Sequence, residues 1–107
     1  MSANFIKLDS LKTLETLFEQ SNEIPIILFK HSTTCGISAG VYREVQEVNA
    51  DVHIVILQTD RPISNLIAEK TGIRHESPQA FVLKDGKPVY HASHYDITAD
   101  DISASLA

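Results

Sequence analysis

The sequence predicts an α/β fold in which a central mixed sheet carries helices on both faces. Short apolar runs, typical of buried strands, alternate with segments whose apolar residues recur at helical spacing. Two strand–helix–strand units in succession imply parallel strand pairing. The dipeptide Asp85-Gly86 then predicts a tight hairpin that adds antiparallel strands. The expected order is β-α-β-α-β-α-β-β-α.

The first strand and helix are predicted close to the N-terminus. Phe5, Ile6 and Leu8 suggest a short strand, and Asp9 or Ser10 can cap the helix that follows. That helix has an apolar face and is expected to end near Ser21 and Asn22. Its apolar residues are Leu11, Leu14, Leu17 and Phe18.

The second strand and helix meet at the single cysteine of the chain. Residues 26–29 form a continuous apolar run after Pro25, which predicts a strand buried on both faces. Residues 31–34 are polar and are expected to form a loop. A helix is predicted from Cys35 to about Asn49, with one apolar face made by Ile37, Val41, Val45 and Val48.

The second half of the chain adds three strands and two helices. Residues 52–57 are nearly all apolar and predict a central strand, and residues 80–83 predict a fourth strand. Between them, a helix should begin at residues 60–62 and end at Gly72. Pro88 places the last strand at a sheet edge, and Thr98 with Asp101 resembles the capping box of a final helix.

Composition limits the classes of function. The chain has 107 residues, which suits one small domain, and its apolar fraction of 43% is ordinary for a globular protein. A net charge of −5 without a block of Lys or Arg argues against nucleic acid or an anionic membrane as the main partner. From the sequence we expect neither a membrane span nor a signal peptide. One cysteine permits no internal disulfide, so we expect a reducing, cytoplasmic setting.

Cys35 is the candidate nucleophile. It lies where a buried strand passes into a helix, and the backbone N–H groups and dipole at a helix start favour an anion. A thiolate is the form that attacks disulfides, and it is easier to form at such a position. The alternative is a small cysteine that only packs in the core. The polar residues 32–34 and Gly36 favour an exposed corner instead.

These features resemble the monothiol bacilliredoxin family (YtxJ-like) of the thioredoxin superfamily. The resemblance rests on residues 30–39, residues 65–79 with Ser77-Pro78 before a strand, and residues 91–98. Residues 35–38, Cys-Gly-Ile-Ser, correspond to a C-x-x-C site whose second cysteine is serine. The resemblance covers essentially the whole chain and implies one thioredoxin-like domain over residues 1–107. The family pattern has proline after the cysteine, whereas this chain has Gly36.

The resemblance implies bacillithiol chemistry. Family members remove bacillithiol from cytosolic proteins that carry it as a mixed disulfide, so Cys35 would attack that disulfide and take up bacillithiol. Bacillithiol would then be a thiol co-substrate, and no metal is expected. Because a lone thiol has no internal partner to resolve the adduct, a second bacillithiol or another external reductase is required.

Several neighbours could stabilise the thiolate or bind substrate. Gly36 and Ile37 supply backbone N–H groups, and Ser38 adds a hydroxyl, although it could equally be an ordinary first-turn serine. Thr34, with Thr33, is expected to cap the helix, and contact with substrate is the alternative.

Two further positions come from the proline loop and from a histidine. The resemblance implies a cis bond before Pro78, which would leave the Ser77 backbone free to pair with an extended substrate; the alternative is a trans turn. His31 could face the thiolate, although a solvated loop histidine is the simpler interpretation.

Two other functions remain open at the level of sequence. Residues 35–38 are similar to the Cys-Gly-Phe-Ser site of monothiol glutaredoxins, which carry an iron–sulfur cluster between two chains with glutathione as co-ligand. Against this, the Gly-Gly-Cys/Ser-Asp-Asp segment expected for glutathione binding is absent, and residues 91–96 stand in its place. A redox-regulated binding domain without catalysis is a third, weaker hypothesis.

Overall fold

The fold confirms the predicted order of elements. A computed structural model describes residues 2–34 and 36–107. The strands are β1 (Asn4–Lys7), β2 (Ile26–His31), β3 (Asp51–Ile56), β4 (Gln79–Lys84) and β5 (Lys87–Ser93). The helices are α1 (Leu11–Gln20), α2 (Gly36–Val45), α3 (Arg61–Thr71) and α4 (Ala99–Ser105), with a short 3-10 helix at His94–Asp96.

The five strands form one mixed sheet in the order β1-β3-β2-β4-β5. β3 pairs in parallel with both β1 and β2, whereas β4 runs antiparallel to β2 and β5 antiparallel to β4. β2 is therefore the central strand, and β3 lies between it and the edge strand β1. β5 is the other edge, as Pro88 predicts, because a proline cannot donate to a neighbouring strand.

Two apolar clusters cover the two faces of the sheet. On one face, α2 and α4 pack through Val41, Val45 and Ile102. On the other face, α1 and α3 pack through residues that include Phe18 and Ile67. Successive residues of β2 alternate between the clusters, since strand side chains point to opposite faces. The helices on both faces confirm the predicted architecture.

Turns and caps form for the local reasons that the sequence suggests. The Ser10 hydroxyl accepts from the Thr13 amide at the start of α1, and Gly72 ends α3 with a φ of 72°. Asp85 and Gly86 both have positive φ, of 53° and 74°, as a two-residue hairpin with right-handed strand twist requires.

Several predicted boundaries are wrong by a few residues. β2 continues through Lys30 and His31, so the interpretation of His31 as a loop residue is incorrect. The strand continues because both residues pair with β3, which a local apolar pattern does not reveal. α2 ends at Val45 rather than near Asn49, although Val48 is still buried against the same cluster.

Candidate functional site

The candidate site lies where β2 leaves the centre of the sheet and the chain enters α2. Cys35 lies outside the described residues, so the site is defined here by its neighbours in the chain and by the residues that contact those neighbours. Ser32, Thr33 and Thr34 precede it, and Gly36 is the first residue of α2. The central position of β2 brings the loop after β3 and the start of β4 to either side of this corner.

Gln58, just after β3, holds the loop that leads to Cys35. Its amide Nε2 donates to Oγ of Ser32 over 2.8 Å and to Oγ1 of Thr34 over 3.0 Å. Its Oε1 accepts from the amide of Thr33 over 3.3 Å. The observed partners of the Thr34 hydroxyl are thus Gln58 and Ser32, and its proposed capping of α2 stays a prediction. Gln58 was not predicted from the sequence.

The first turn of α2 presents one exposed and two inward residues. Gly36 is exposed, and a side chain built there would meet no atom within 4 Å. Ile37 is half-buried against the cluster that α2 shares with α4. Ser38 is fully buried, and its Oγ accepts from the Ser32 amide over 3.4 Å. Ser38 therefore joins the segment before Cys35 to the helix after it.

The Ser77-Pro78 loop borders the same corner. The Ser77–Pro78 peptide bond is cis, as the resemblance implies, and Pro78 is buried. The Gln79 side chain fixes this loop, because its Nε2 donates to the Arg74 carbonyl over 3.1 Å. Oγ of Ser77 is buried without a hydrogen-bond partner among the described residues. The antiparallel pairing of Lys30 with Gln79 explains why the loop reaches the end of β2.

His31 and Ser77 line two different pockets. Its ring packs between Phe29 and Tyr42, with centroid distances of 5.8 and 5.1 Å. Burial lowers the pKa of His31, which favours the neutral ring at neutral pH. A neutral imidazole supplies no positive charge to a nearby thiolate. The contribution of His31 through charge is therefore weaker than the sequence suggests.

A buried lysine behind the site was missed by the sequence reasoning. Lys30 is fully buried, with Nζ 3.1 Å from Nδ1 of His75 and 5.6 Å from the centre of the Phe81 ring. Oγ of Ser64 lies 3.1 Å from the same His75 nitrogen. Desolvation, with a smaller contribution from the charge of Arg61, lowers the pKa of Lys30 to about 8. The Lys30 amine is thus a polar group that lies within the apolar core and contacts His75 at the edge of the site.

A pocket of about 360 Å³ connects the loop before Cys35 with the proline loop. Leu57 provides an apolar part of its wall. The polar lining comes from Ser32, Thr34, Gln58, Arg61, His75 and Ser77. Thr34 and Ser77, which the sequence singles out separately, therefore face one space. His31 instead lines a second pocket of about 320 Å³ with Thr33 and Tyr42.

The remaining histidines lie on different elements of the fold. His53 is on β3, and His91 and His94 lie at and beyond the end of β5. Within residues 2–34 and 36–107, no group of three or more His, Asp or Glu side chains is arranged to hold a metal ion. No helix in the described part of the chain is long and apolar enough to cross a membrane.

Comparisons with known proteins agree with this architecture. A family model described as monothiol bacilliredoxin BrxC matches residues 6–102. A solved chain provisionally assigned as an oxidoreductase with a thioredoxin fold is 34% identical, with a TM-score of 0.87, over 96% of this chain and 94% of that chain.

Two thioredoxins show the same fold at much lower identity. Thioredoxin from Fasciola hepatica is 15% identical with a TM-score of 0.67, over 94% of both chains. Mitochondrial thioredoxin 3 from Saccharomyces cerevisiae is 12% identical with a TM-score of 0.71, over 95% of this chain and 92% of that chain. The fold is therefore thioredoxin-like, as predicted.

Proposed function

Because the chain belongs to the monothiol bacilliredoxin family, we propose that it removes bacillithiol from proteins that carry it as a mixed disulfide. Membership of this family makes it a thiol oxidoreductase. The observation that carries the finer proposal is that the family match spans residues 6–102 and so includes the single cysteine. Cys35 is the proposed nucleophile.

The reaction consists of two thiol–disulfide exchanges. The Cys35 thiolate attacks the bacillithiol sulfur, a new disulfide forms between them, and the thiolate of the substrate protein leaves. A second bacillithiol thiolate then attacks the bacillithiol sulfur held on Cys35. This step releases bacillithiol disulfide and restores the Cys35 thiolate. Bacillithiol is the electron donor in the complete cycle. A reductase could replace it in the second step, the release of bacillithiol from Cys35.

The residues next to Cys35 support the first exchange. α2 begins at Gly36, so the unpaired N–H groups and the positive end of the helix dipole follow Cys35 directly in the chain. Gln58 and Ser38 fix the segment before it through hydrogen bonds to residues 32–34. A fixed corner lowers the entropy lost when a disulfide is aligned for attack.

The proposed setting and partners follow from this chemistry. A protein with one cysteine that depends on an external thiol suits a reducing compartment, so we propose cytoplasmic proteins modified by bacillithiol as substrates. The matched family of monothiol bacilliredoxins and the oxidoreductase description of the 34%-identical chain both support a redox reaction at the thiol. They favour it over the iron–sulfur carrier that residues 35–38 also suggest.

A turnover assay tests the proposal. A bacillithiol-modified protein is mixed with excess bacillithiol, and release of its free thiol is followed with and without this protein. We expect acceleration by the natural chain and none by Cys35→Ser, with the variant's thermal unfolding measured as a control for folding. Equal release in the presence of Cys35→Ser would contradict the proposal, because release would then not need the thiol.

A further inference from the structure

The pocket between the Cys35 loop and the Ser77-Pro78 loop is suited to an anion. Among its described lining residues there is no acidic side chain, and Arg61 supplies a permanent positive charge. Buried Lys30 lies directly behind, in contact with His75 of the pocket wall. This local excess of positive charge contrasts with the net charge of −5 of the whole chain.

Arg61 is well placed to bind a ligand that enters this pocket. It is exposed and is the first residue of α3, so its side chain can reach the pocket from the rim without a desolvation cost. Its charge contributes to lowering the pKa of both Lys30 and His75, after the larger effect of desolvation. The guanidinium fork matches a carboxylate in a bidentate geometry.

His75 adds a donor whose position follows from its buried neighbour. A protonated lysine has only donors, so Nδ1 of His75 accepts from Nζ of Lys30. Desolvation and the nearby positive charges lower the pKa of His75, which favours the neutral ring. The proton of that neutral ring is then on Nε2. His75 can therefore donate a hydrogen bond to a ligand while its other nitrogen is fixed.

Uncharged groups complete the wall. The uncharged polar residues Ser32, Thr34, Gln58 and Ser77 line the same space. The Oγ atom of Ser77 is itself buried and has no hydrogen-bond partner in residues 2–34 and 36–107. A volume of about 360 Å³ is enough for a small ligand rather than a protein segment.

We propose that this pocket is a carboxylate-binding subsite for the low-molecular-weight thiol that Cys35 exchanges, with Arg61 and His75 as the carboxylate donors. The inference rests on the proposed function, since it concerns the small thiol of the same reaction. It adds the class of thiol that is preferred: one that carries carboxylate groups. Arg61 is a specificity residue in this scheme and takes no part in the bond exchange itself.

Small symmetrical disulfides test the subsite without a protein substrate. We would react the reduced protein with 3,3′-dithiodipropionic acid, bis(2-hydroxyethyl) disulfide and cystamine, which are anionic, neutral and cationic. The rate at which each disulfide forms a mixed disulfide with Cys35 is followed by intact mass at low ionic strength. Each rate is divided by the rate at which the same disulfide reacts with free 2-mercaptoethanol, which corrects for its intrinsic reactivity. We expect the order anionic, neutral, cationic, although the net charge of the chain would favour the reverse.

Two arginine variants separate the subsite from general charge. Arg61→Gln should lower the ratio of the anionic to the neutral rate about tenfold, the effect of one charge-assisted hydrogen bond. Arg43→Gln removes the same charge from an exposed position on α2, in the pocket of His31, and should change the ratio less than about twofold. Thermal unfolding of both variants checks that they fold.

Each alternative result has a distinct meaning. The subsite proposal would be wrong if the ratio of the anionic to the neutral rate did not change in Arg61→Gln. It would also be wrong if the ratio changed equally in Arg43→Gln. If Arg61→Gln slowed transfer only from modified proteins and not from the small disulfides, the carboxylate would belong to the protein substrate, and the inference would be wrong. If bacillithiol transfer stayed normal while the subsite proposal failed, the proposed function would still hold. If Cys35 reacted with no disulfide, both the subsite and the proposed function would be wrong.

Discussion

Nζ of Lys30 lies 3.1 Å from Nδ1 of His75, and this contact places a fully buried amine at the junction of core and site. Lys30 is on the central strand, and His75 is on the loop that leads to Pro78. The contact therefore joins the strand before Cys35 to the proline loop. It also gives the site a positive group that water does not reach, which is costly unless a polar partner is present.

Replacing this lysine should stabilise the protein below pH 8. The pKa of Lys30 is lowered to about 8 from 10.5, so the native state holds its charge at a cost that the unfolded state does not have. Lys30→Met should raise the free energy of unfolding by roughly 2–3 kcal/mol at pH 6.5. His75 keeps its contact with Ser64. Urea titration of both proteins gives the difference.

The pH dependence of that difference has a definite sign. Between about pH 8 and pH 10.5 the unfolded chain binds a proton that native Lys30 has lost, so the natural protein gains stability as pH rises. The advantage of Lys30→Met should thus shrink across this window. Exposed Lys12→Met controls for removal of a positive charge. A Lys30→Met protein that is less stable at pH 6.5 would show that the ammonium is fully compensated by His75.

Two glycines should respond to alanine in opposite directions. Gly36 opens α2, and an added Cβ meets nothing within 4 Å, so Gly36→Ala should stabilise by about 0.5–1 kcal/mol. Gly86 has a φ of 74°, and Gly86→Ala should destabilise by about 1–2 kcal/mol. Urea midpoints with unchanged m-values measure both. Equal losses in the two variants would contradict this assignment of backbone conformations.

A second thiol at Ser38 should change how the mixed disulfide is resolved. Ser38 is in the first turn of α2, at the second cysteine position of a C-x-x-C site. In Ser38→Cys the introduced thiol can attack Sγ of Cys35, form an internal disulfide and expel bacillithiol. The amount of bacillithiol adduct seen by intact mass should fall about tenfold or more, since the new thiol is intramolecular. Ser38→Ala is the control, and an adduct that persists equally in both variants would contradict the prediction.

Gln58 should control the order of the loop before Cys35. Gln58→Ala removes the acceptor of the Thr33 amide, so hydrogen exchange at Thr33 should accelerate about fivefold, the effect of one ordinary hydrogen bond. Gln58→Glu keeps an oxygen acceptor at that position and should preserve most of the protection at Thr33. The melting temperature should change little because Gln58 is exposed. Unchanged exchange in Gln58→Ala would show that the loop is fixed by other contacts.

The elements that the sequence predicts well are those with local causes. The Ser10 cap, the Gly72 helix end and the Asp85-Gly86 turn each depend on the conformational preferences of one or two residues. Burial of β2 was predicted from its apolar run. The cis bond before Pro78 was inferred from family resemblance, because the local sequence alone permits both isomers.

The parts that the sequence did not reveal depend on distant partners. Lys30 follows an apolar run, and the sequence pattern predicts only the end of a strand there. It is buried with His75 as its polar partner, and Ser64 of α3 contacts the same His75 nitrogen. Gln58 belongs to no motif, and its role arises only when β3 lies beside β2. The strand alternation would have placed Lys30 on the same face as Leu28, which is the one signal that could have identified it.

Transfer of bacillithiol to Cys35 in a single turnover tests the central claim most directly. The reduced protein is mixed with equal amounts of a bacillithiol-modified protein or a glutathione-modified protein, and both partners are followed by intact mass. We predict that the chain gains one bacillithiol at Cys35, that the substrate thiol is released, and that the glutathione-modified control reacts far more slowly. No transfer, or equal transfer from both donors, would contradict bacillithiol-specific exchange and favour the iron–sulfur carrier.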